Sequence, residues 1–194
     1  MKKLISFLAL TLALSTQAFA ADASSQDSFV RVDGVYRNYD GSSTEAFGGN
    51  VVVGRSIAKH TVVDGNIQFR HKDEGTNRDS NRLEVGLTQG VPVLVNGLTL
   101  YTRGAVGQKF TGDSNFSYYS VEPGVRYEVV PGTGVRAGWR YRDAFEAGNN
   151  DQTRTWRVGF DHALTRSTYV QVGVDRSTGD SEWTGVSVGY GMRF

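Results

Sequence analysis

The sequence contains no cysteine. No disulfide can staple it, and no thiolate can serve as nucleophile or soft metal ligand. Proline occurs only three times, at Pro92, Pro123 and Pro131, and histidine three times, at His60, His71 and His162. No histidines stand at metal-ligand spacing, and no glycine-rich phosphate loop leads into a helical pattern, so neither a metal nor a cofactor is expected. Neither sign of charge dominates, with 21 Lys and Arg against 20 Asp and Glu. Nothing in that balance draws the chain toward nucleic acid. Beyond residue 20 no apolar run approaches the roughly 20 residues of a membrane helix.

One short apolar run stands at the start. Lys2 and Lys3 precede an apolar stretch over residues 4–14, and Ala18-Phe19-Ala20 places small residues where a signal peptidase reads. This is the layout of a secretory leader, too short to be an anchor. Cleavage is expected after Ala20, leaving residues 21–194 as a single domain. Without Lys2 and Lys3, 19 basic residues face 20 acidic ones.

What the remainder has in quantity is glycine, 24 residues, and alternation of apolar with polar or small side chains. Alternation at period two marks strands with one apolar face. Ten such segments are read at 28–40, 46–55, 62–71, 81–88, 98–109, 118–129, 135–142, 155–161, 168–175 and 183–194. Polar, mostly charged connections (40–45, 72–80, 111–115, 143–152, 176–182) alternate with less charged ones (56–61, 89–97, 130–134, 162–166). Long loops on one side and tight turns on the other, with an even strand count, describe an all-β antiparallel up-and-down transmembrane barrel with both termini periplasmic. Eight strands is the alternative, with two segments forming hairpins above the membrane. Pro123 cannot donate to a ladder, so either a local bulge or a place near the long-loop end of the strand is expected there.

The last segment runs Val186, Val188, Tyr190, Met192, Phe194, with Gly185, Ser187, Gly189, Gly191 and Arg193 between them. It resembles the C-terminal assembly signal of bacterial outer-membrane proteins, with Tyr190, Met192 and Phe194 as its outward residues. The resemblance implies the outer membrane of a Gram-negative bacterium. Its implied partners are the lipid bilayer, lipopolysaccharide and the outer-membrane assembly machinery. Tyr36, Phe69, Tyr119, Tyr141 and Trp156 fall toward one end of their segments, and Tyr127, Phe160, Tyr190 and Phe194 toward the other, as two aromatic girdles would.

With apolar side chains toward lipid, Trp139 and Tyr141 face out and the opposite register faces in. Its basic members are Arg31, Arg37, Arg70, Arg82, Arg103, Lys109, Arg126, Arg136, Arg140, Arg142, Arg157 and Arg193. Its acidic members are Asp33, Asp64, Glu84, Glu122, Glu128, Asp161 and Asp175. The surplus is positive, and the acids that balance it lie in the loops. Two functions follow. A narrow channel lined by these arginines would be weakly anion-selective and pass small acidic solutes. Alternatively, paired charges fill the lumen and make a sealed structural or ligand-binding barrel. Arg82, Arg103, Arg126, Arg136, Arg140 and Arg142 are the candidate anion contacts, and Asp64, Glu84, Glu122 and Glu128 their acidic partners.

Strands six and seven read Tyr119-Ser120-Val121-Glu122-Pro123-Gly124-Val125-Arg126-Tyr127 and Val135-Arg136-Ala137-Gly138-Trp139-Arg140-Tyr141-Arg142. They resemble the oligogalacturonate-specific porin family, whose members carry a Leu-Glu-Pro-Gly-Val type stretch followed by a strand ending Arg-Tyr-Arg. The resemblance implies a narrow, arginine-lined barrel for acidic oligosaccharides, with Arg126, Arg136, Arg140 and Arg142 as anion contacts. The chain departs from that family in length, since its members are longer and have twelve strands.

No catalytic residues are assigned. His60 and His162 fall in tight turns. His71 lies beside Asp73, and a dyad with Ser80 is the one pairing the spacing offers. An enzyme is not expected.

Overall fold

The computed structural model describes residues 28–41, 43–73, 79–112, 114–146 and 151–194. The leader and its cleavage site lie outside the described residues. Ten strands follow in chain order: β1 (Ser28–Tyr39), β2 (Glu45–Ala58), β3 (Thr61–Lys72), β4 (Ser80–Pro92), β5 (Leu98–Thr111), β6 (Ser114–Val130), β7 (Thr133–Ala144), β8 (Thr153–Ala163), β9 (Thr168–Gly179) and β10 (Trp183–Arg193). Each pairs antiparallel with the next, and β10 returns to β1, so the sheet closes on itself with no free edge. The seam is bonded to its last residues: Ser28 N–H donates to the Phe194 carbonyl at 3.0 Å, and Phe194 N–H to the Ser28 carbonyl at 2.9 Å. Ten strands is the number read from alternation, and the eight-strand alternative falls.

Ser28 and Phe194 lie at the end carrying the turns at 59–60, 93–97, 131–132 and 164–167, here called the turn end. The loop end carries the connections at 40–44, 73–79, 112–113, 145–152 and 180–182. Strands of 11 to 17 residues meet or exceed the ~9–11 that a tilted strand needs to cross a bilayer. Two connections are tighter than their polarity suggests. β4 continues to Pro92, and β5 and β6 are already paired at Thr111 and Ser114, with Gly112 at φ 46°. At the turn end, Pro131 precedes Gly132 at φ 82°, a pattern suited to a two-residue turn with its second position left-handed.

The core is inverted relative to a water-soluble domain. Among the described residues, sixteen buried side chains are polar or charged and seven are hydrophobic. The outside is apolar: Val188, Trp156, Val158, Val106 and Val85 are all more than half exposed. In water so continuous an apolar belt would be covered by another surface; around a closed barrel it meets lipid tails. Alternation therefore faces apolar residues outward on every strand. Trp139 and Tyr141 share the outward parity of β7 and stack with centroids 6.4 Å apart. Tyr119 lies 6.2 Å from Tyr141 and 5.4 Å from Phe145, extending the cluster at the loop end.

Pro123 produces no bulge. The β6–β7 register is the same on either side of it, Val121 with Tyr141 and Gly124 with Gly138, but the two intervening pairs are missing. The proline lacks the N–H that the ladder would use, and the ladder skips a step instead of slipping. The bulge of this hairpin lies between Glu128 and Val130, next to the tight turn.

Candidate functional site: the charged lumen

A cavity of about 540 Å³ occupies the lumen, lined by residues from every strand. Space for its large side chains comes from inward-facing glycines. A Cβ on Gly138 would lie 2.6 Å from the Tyr101 hydroxyl, and one on Gly159 2.7 Å from Arg136 Nε. These positions must stay bare so that neighbouring arginines and tyrosines can lie across them.

The middle of the lumen is a closed ionic network. Glu84 is its hub, 3% exposed. It accepts from Arg103 Nη1 at 2.8 Å, from the Tyr118 hydroxyl at 3.0 Å, and from Arg140. Arg103 also grips Asp64 with two donors, Nε at 3.0 Å and Nη2 at 2.5 Å. Arg140 adds a bond to Ser120 Oγ at 3.1 Å. Because Arg140 is on β7 and Glu84 on β4, this pair crosses the lumen, and Arg103 to Asp64 spans from β5 to β3. Beside it Glu122 accepts from Arg157 at 2.8 Å and from the Tyr101 hydroxyl at 3.1 Å, and Arg157 Nε reaches Asp175 at 3.4 Å. Arg126 reaches Asp161 at 2.8 Å, and Arg31 bridges Asp33 and Gln171. Charges this far from bulk water persist because nearly every one has a partner.

The loop end is built differently. Asp151, in the connection between β7 and β8, turns inward and is 2% exposed. Arg142 reaches it with Nε at 2.8 Å and Nη2 at 3.0 Å, and Lys109 Nζ lies 2.9 Å away. Burial pushes its carboxyl upward, but Arg142 and Lys109 outweigh burial and hold it below its ordinary value. On the far side Arg37 lies over Trp183, its Cζ 3.5 Å from the ring centroid. Arg37, Arg70 and Arg82 have no carboxylate partner among the described residues; nor does Arg136, which is directly opposite Arg126 across the β6–β7 ladder.

All six candidate arginines except Arg126 are more than half covered, and all six line the cavity. The four on β6 and β7 do not form one run of free cations. Arg126, Arg140 and Arg142 are each bound to a carboxylate, and Arg136 alone is not. Of the acidic candidates, Asp64, Glu84 and Glu122 sit within the network. Glu128 does not: it is exposed beside the tight turn, where its carboxylate accepts the Gly132 N–H at 3.0 Å. The bulge after Glu128 and the two-residue turn bring that N–H within reach of its side chain. Tyr190, Met192 and Phe194 lie outward on β10, each nearly half exposed. His71 pairs with Asp79 at 2.8 Å on the outside of the barrel, while Ser80 is buried on the inner face. One residue of parity separates the two faces, so the His71–Ser80 dyad does not form.

Sequence reasoning overlooked two residues. Trp183 shares the inward parity of Gly185 and Ser187, so its place was readable from β10 once parity outranked its hydrophobicity. Asp151 carries no such signal, because loop residues have no period.

The family model for outer membrane protein beta-barrel domains matches residues 6–162. The chain belongs to that family. It is an outer-membrane β-barrel. No curated protein matches it by sequence. Among solved structures it is similar to an outer-membrane channel from Pseudomonas putida F1 (TM-score 0.54, 9% identity, covering 92% of this chain and 98% of that one). It is also similar to the translocator domain of the autotransporter NalP from Neisseria meningitidis (TM-score 0.53, 9% identity, 98% and 96% covered). The KdgM porin, solved in complex with disordered oligogalacturonate, matches at TM-score 0.45 and 12% identity over 87% of this chain and 99% of that one. At these identities the likeness is one of fold.

Proposed function

We propose that this outer-membrane barrel is a narrow, weakly anion-selective channel for small acidic solutes. The observation that carries the reading is the reach of one cavity along the barrel. It touches Phe29, His60 and Thr99 near the turn end and Arg37, Arg70 and Trp183 near the loop end. Ten arginines and five carboxylates line it, an excess of positive charge that favours anions. Most of those arginines are paired, so the selectivity is modest and falls as added salt screens the remainder. Export by the leader, recognition of Tyr190, Met192 and Phe194 by the assembly machinery, contact with lipopolysaccharide and a periplasmic turn end belong to the same reading.

The pair Arg140–Glu84 between β7 and β4, joined to Asp64 on β3 through Arg103, favours a second reading, a sealed barrel. Planar-bilayer conductance separates the two. A channel gives discrete small conductances whose reversal potential in a salt gradient lies toward the anion. Replacing Arg136 and Arg140 together by glutamate reverses that preference. A silent bilayer favours the sealed barrel, and cation preference in the unaltered protein contradicts the channel as described.

A further inference from the structure

The loop-end part of the lumen holds more positive charge than its acids answer. Arg82 and Arg142 each stand within electrostatic reach of Arg37, Arg70 and Lys109, and Arg37 also within reach of Arg70 and of the Asp175 carboxylate. Among the described residues Asp151 is the one carboxylate that pairs with members of this group, and Lys109 and Arg142 share it. Arg37, Arg70 and Arg82 are left over. Arg37 is 5% exposed and Arg70 6% exposed. Nε and Nη1 of Arg37, Nε of Arg70 and Nε of Arg82 are buried with no hydrogen-bond partner, and all three side chains line the cavity.

The groups in direct contact with Arg37 and Arg70 are neutral, with the Asp175 carboxylate acting on Arg37 from farther away. Arg37 stacks on Trp183, and Arg70 lies 6.0 Å from the same ring. Arg70 donates to Gln68, whose amide donates to Asn50 at 2.6 Å. Small residues flank two of them across both ladders, Ala46 and Gly185 beside Arg37, Gly48 and Ser80 beside Arg70, whereas Arg82 lies between Gln68 and Lys109. Stacking, amide bonds and small neighbours fix guanidinium groups in place without neutralising them. A lumen that only needed filling would use carboxylates here, as the middle network does.

We propose that Arg37, Arg70 and Arg82 form a binding site for a small oxyanion carrying two or more negative charges. Guanidinium groups present paired N–H donors to oxygens of tetrahedral or planar oxyanions, and three of them without an acid favour a ligand bearing several charged oxygens. Chloride cannot use the fork geometry, and a single carboxylate occupies one fork. The continuous backbone ladder separates the site from lipid, so the ligand is a free solute that arrives through the loop end. The proposal goes beyond the channel reading, because it needs access from one end and no passage.

The test is calorimetric titration of inorganic phosphate into the full barrel, refolded in detergent free of lipopolysaccharide, near neutral pH and at low salt. The unaltered protein binds phosphate saturably, and chloride at the same ionic strength gives no saturable heat. Arg37→Gln with Arg70→Gln weakens phosphate binding at least about tenfold, the loss of charge-assisted bonds from two forks. Arg70→Lys keeps the charge but not the fork and gives an intermediate loss. Arg166→Gln, in the exposed turn at 164–167, leaves binding unchanged. Folding of each variant is read from its heat-modifiable migration in gels; if the double variant does not fold, Arg82→Gln alone decides, with a severalfold loss expected. No saturable binding to the unaltered protein, or undiminished binding in the folded variants, overturns the proposal. Phosphate binding without bilayer conductance upholds this site and refutes the channel; conductance without phosphate binding does the reverse.

Discussion

The middle of the lumen and its loop end solve the same problem, arginines inside a barrel, in opposite ways. In the middle, Arg103, Arg140 and Arg157 meet Asp64, Glu84, Glu122 and Asp175, all carried on strands, so pairing is fixed by register. At the loop end, Arg37 and Arg70 rest on an aromatic ring and an amide, and among the described residues the one carboxylate paired within the cluster comes from a loop. The difference does not track burial: Arg37 and Arg70 are buried, while Arg103, Arg140 and Arg157 are each partly exposed. It lies in the neighbours, which are carboxylates in the middle and, at the loop end, an aromatic ring that holds a cation by stacking and an amide. Pairs fixed by register are thus concentrated in the middle, while among the described residues Arg37, Arg70 and Arg82 at the loop end, and Arg136 nearer the turn end, meet no carboxylate.

Removing the hub should have the largest effect on stability. Glu84→Gln strips Arg103 and Arg140 of a shared counter-ion and should cost about 3–5 kcal/mol, as breaking buried pairs does. Urea midpoints of the barrel refolded in phospholipid vesicles measure it; a cost near zero would mean that the middle network is no more constrained than the loop end. The comparison also assumes which face is which. Trp139→Arg, an outward position in mid-strand, should cost about 2–4 kcal/mol in the same measurement. Full tolerance of that change would mean that the faces are reversed.

Asp151→Asn should have a smaller effect, about 1–3 kcal/mol, because it leaves Arg142 and Lys109 less satisfied without emptying the middle. The latch also has a pH signature. The Asp151 carboxyl is held below its ordinary value, so the stabilisation is present above the unfolded value of about 3.9 and is lost as pH falls through the lower folded value. Unfolding midpoints should therefore show no latch-dependent change from pH 8 to 5. Below about pH 4 the unaltered protein should lose stability that the Asp151→Asn variant has already lost. Equal acid sensitivity of the two proteins would remove Asp151 from the account. Arg70→Gln should have the smallest effect, about 1 kcal/mol or less, since it orphans no acid and breaks one bond to Gln68. A cost as large as that of Glu84→Gln would erase the distinction between the two regions.

The barrel was legible because its physics is periodic. A residue's parity within β3, β6, β7 or β10 decides whether it meets lipid or lumen, and Val63, Val125, Val135 and Val188 reveal that parity without any knowledge of partners. Closure was legible from the even number of such segments and from the alternation that runs through β10 to Phe194. The ends of strands were less so: β4 continues through Gly90 to Pro92 although its polar and small residues there read as a connection. Inside the lumen, parity names which charges face inward but not which meet. Arg126, Arg140 and Arg142 look like one positive run along the chain, yet each finds an acid, and all three acids, Asp161, Glu84 and Asp151, lie on another strand or in a loop. Glu128 has the inward parity, but the adjacent turn offers its carboxylate a nearer donor. The unpaired Arg37, Arg70 and Arg82 come from β1, β3 and β4, and their freedom is a property of the closed barrel that no local pattern carries.

The most direct test of this division is the reversal potential across a tenfold potassium chloride gradient, measured for the unaltered barrel, for Arg37→Gln with Arg70→Gln, and for Asp151→Asn. Free loop-end charge predicts a chloride-biased potential in the unaltered protein, a shift toward zero in the double variant and a stronger chloride bias in Asp151→Asn. A potential that stays the same in all three, or a barrel that carries no current, would contradict the assignment of the lumen's selectivity to its unpaired loop-end arginines.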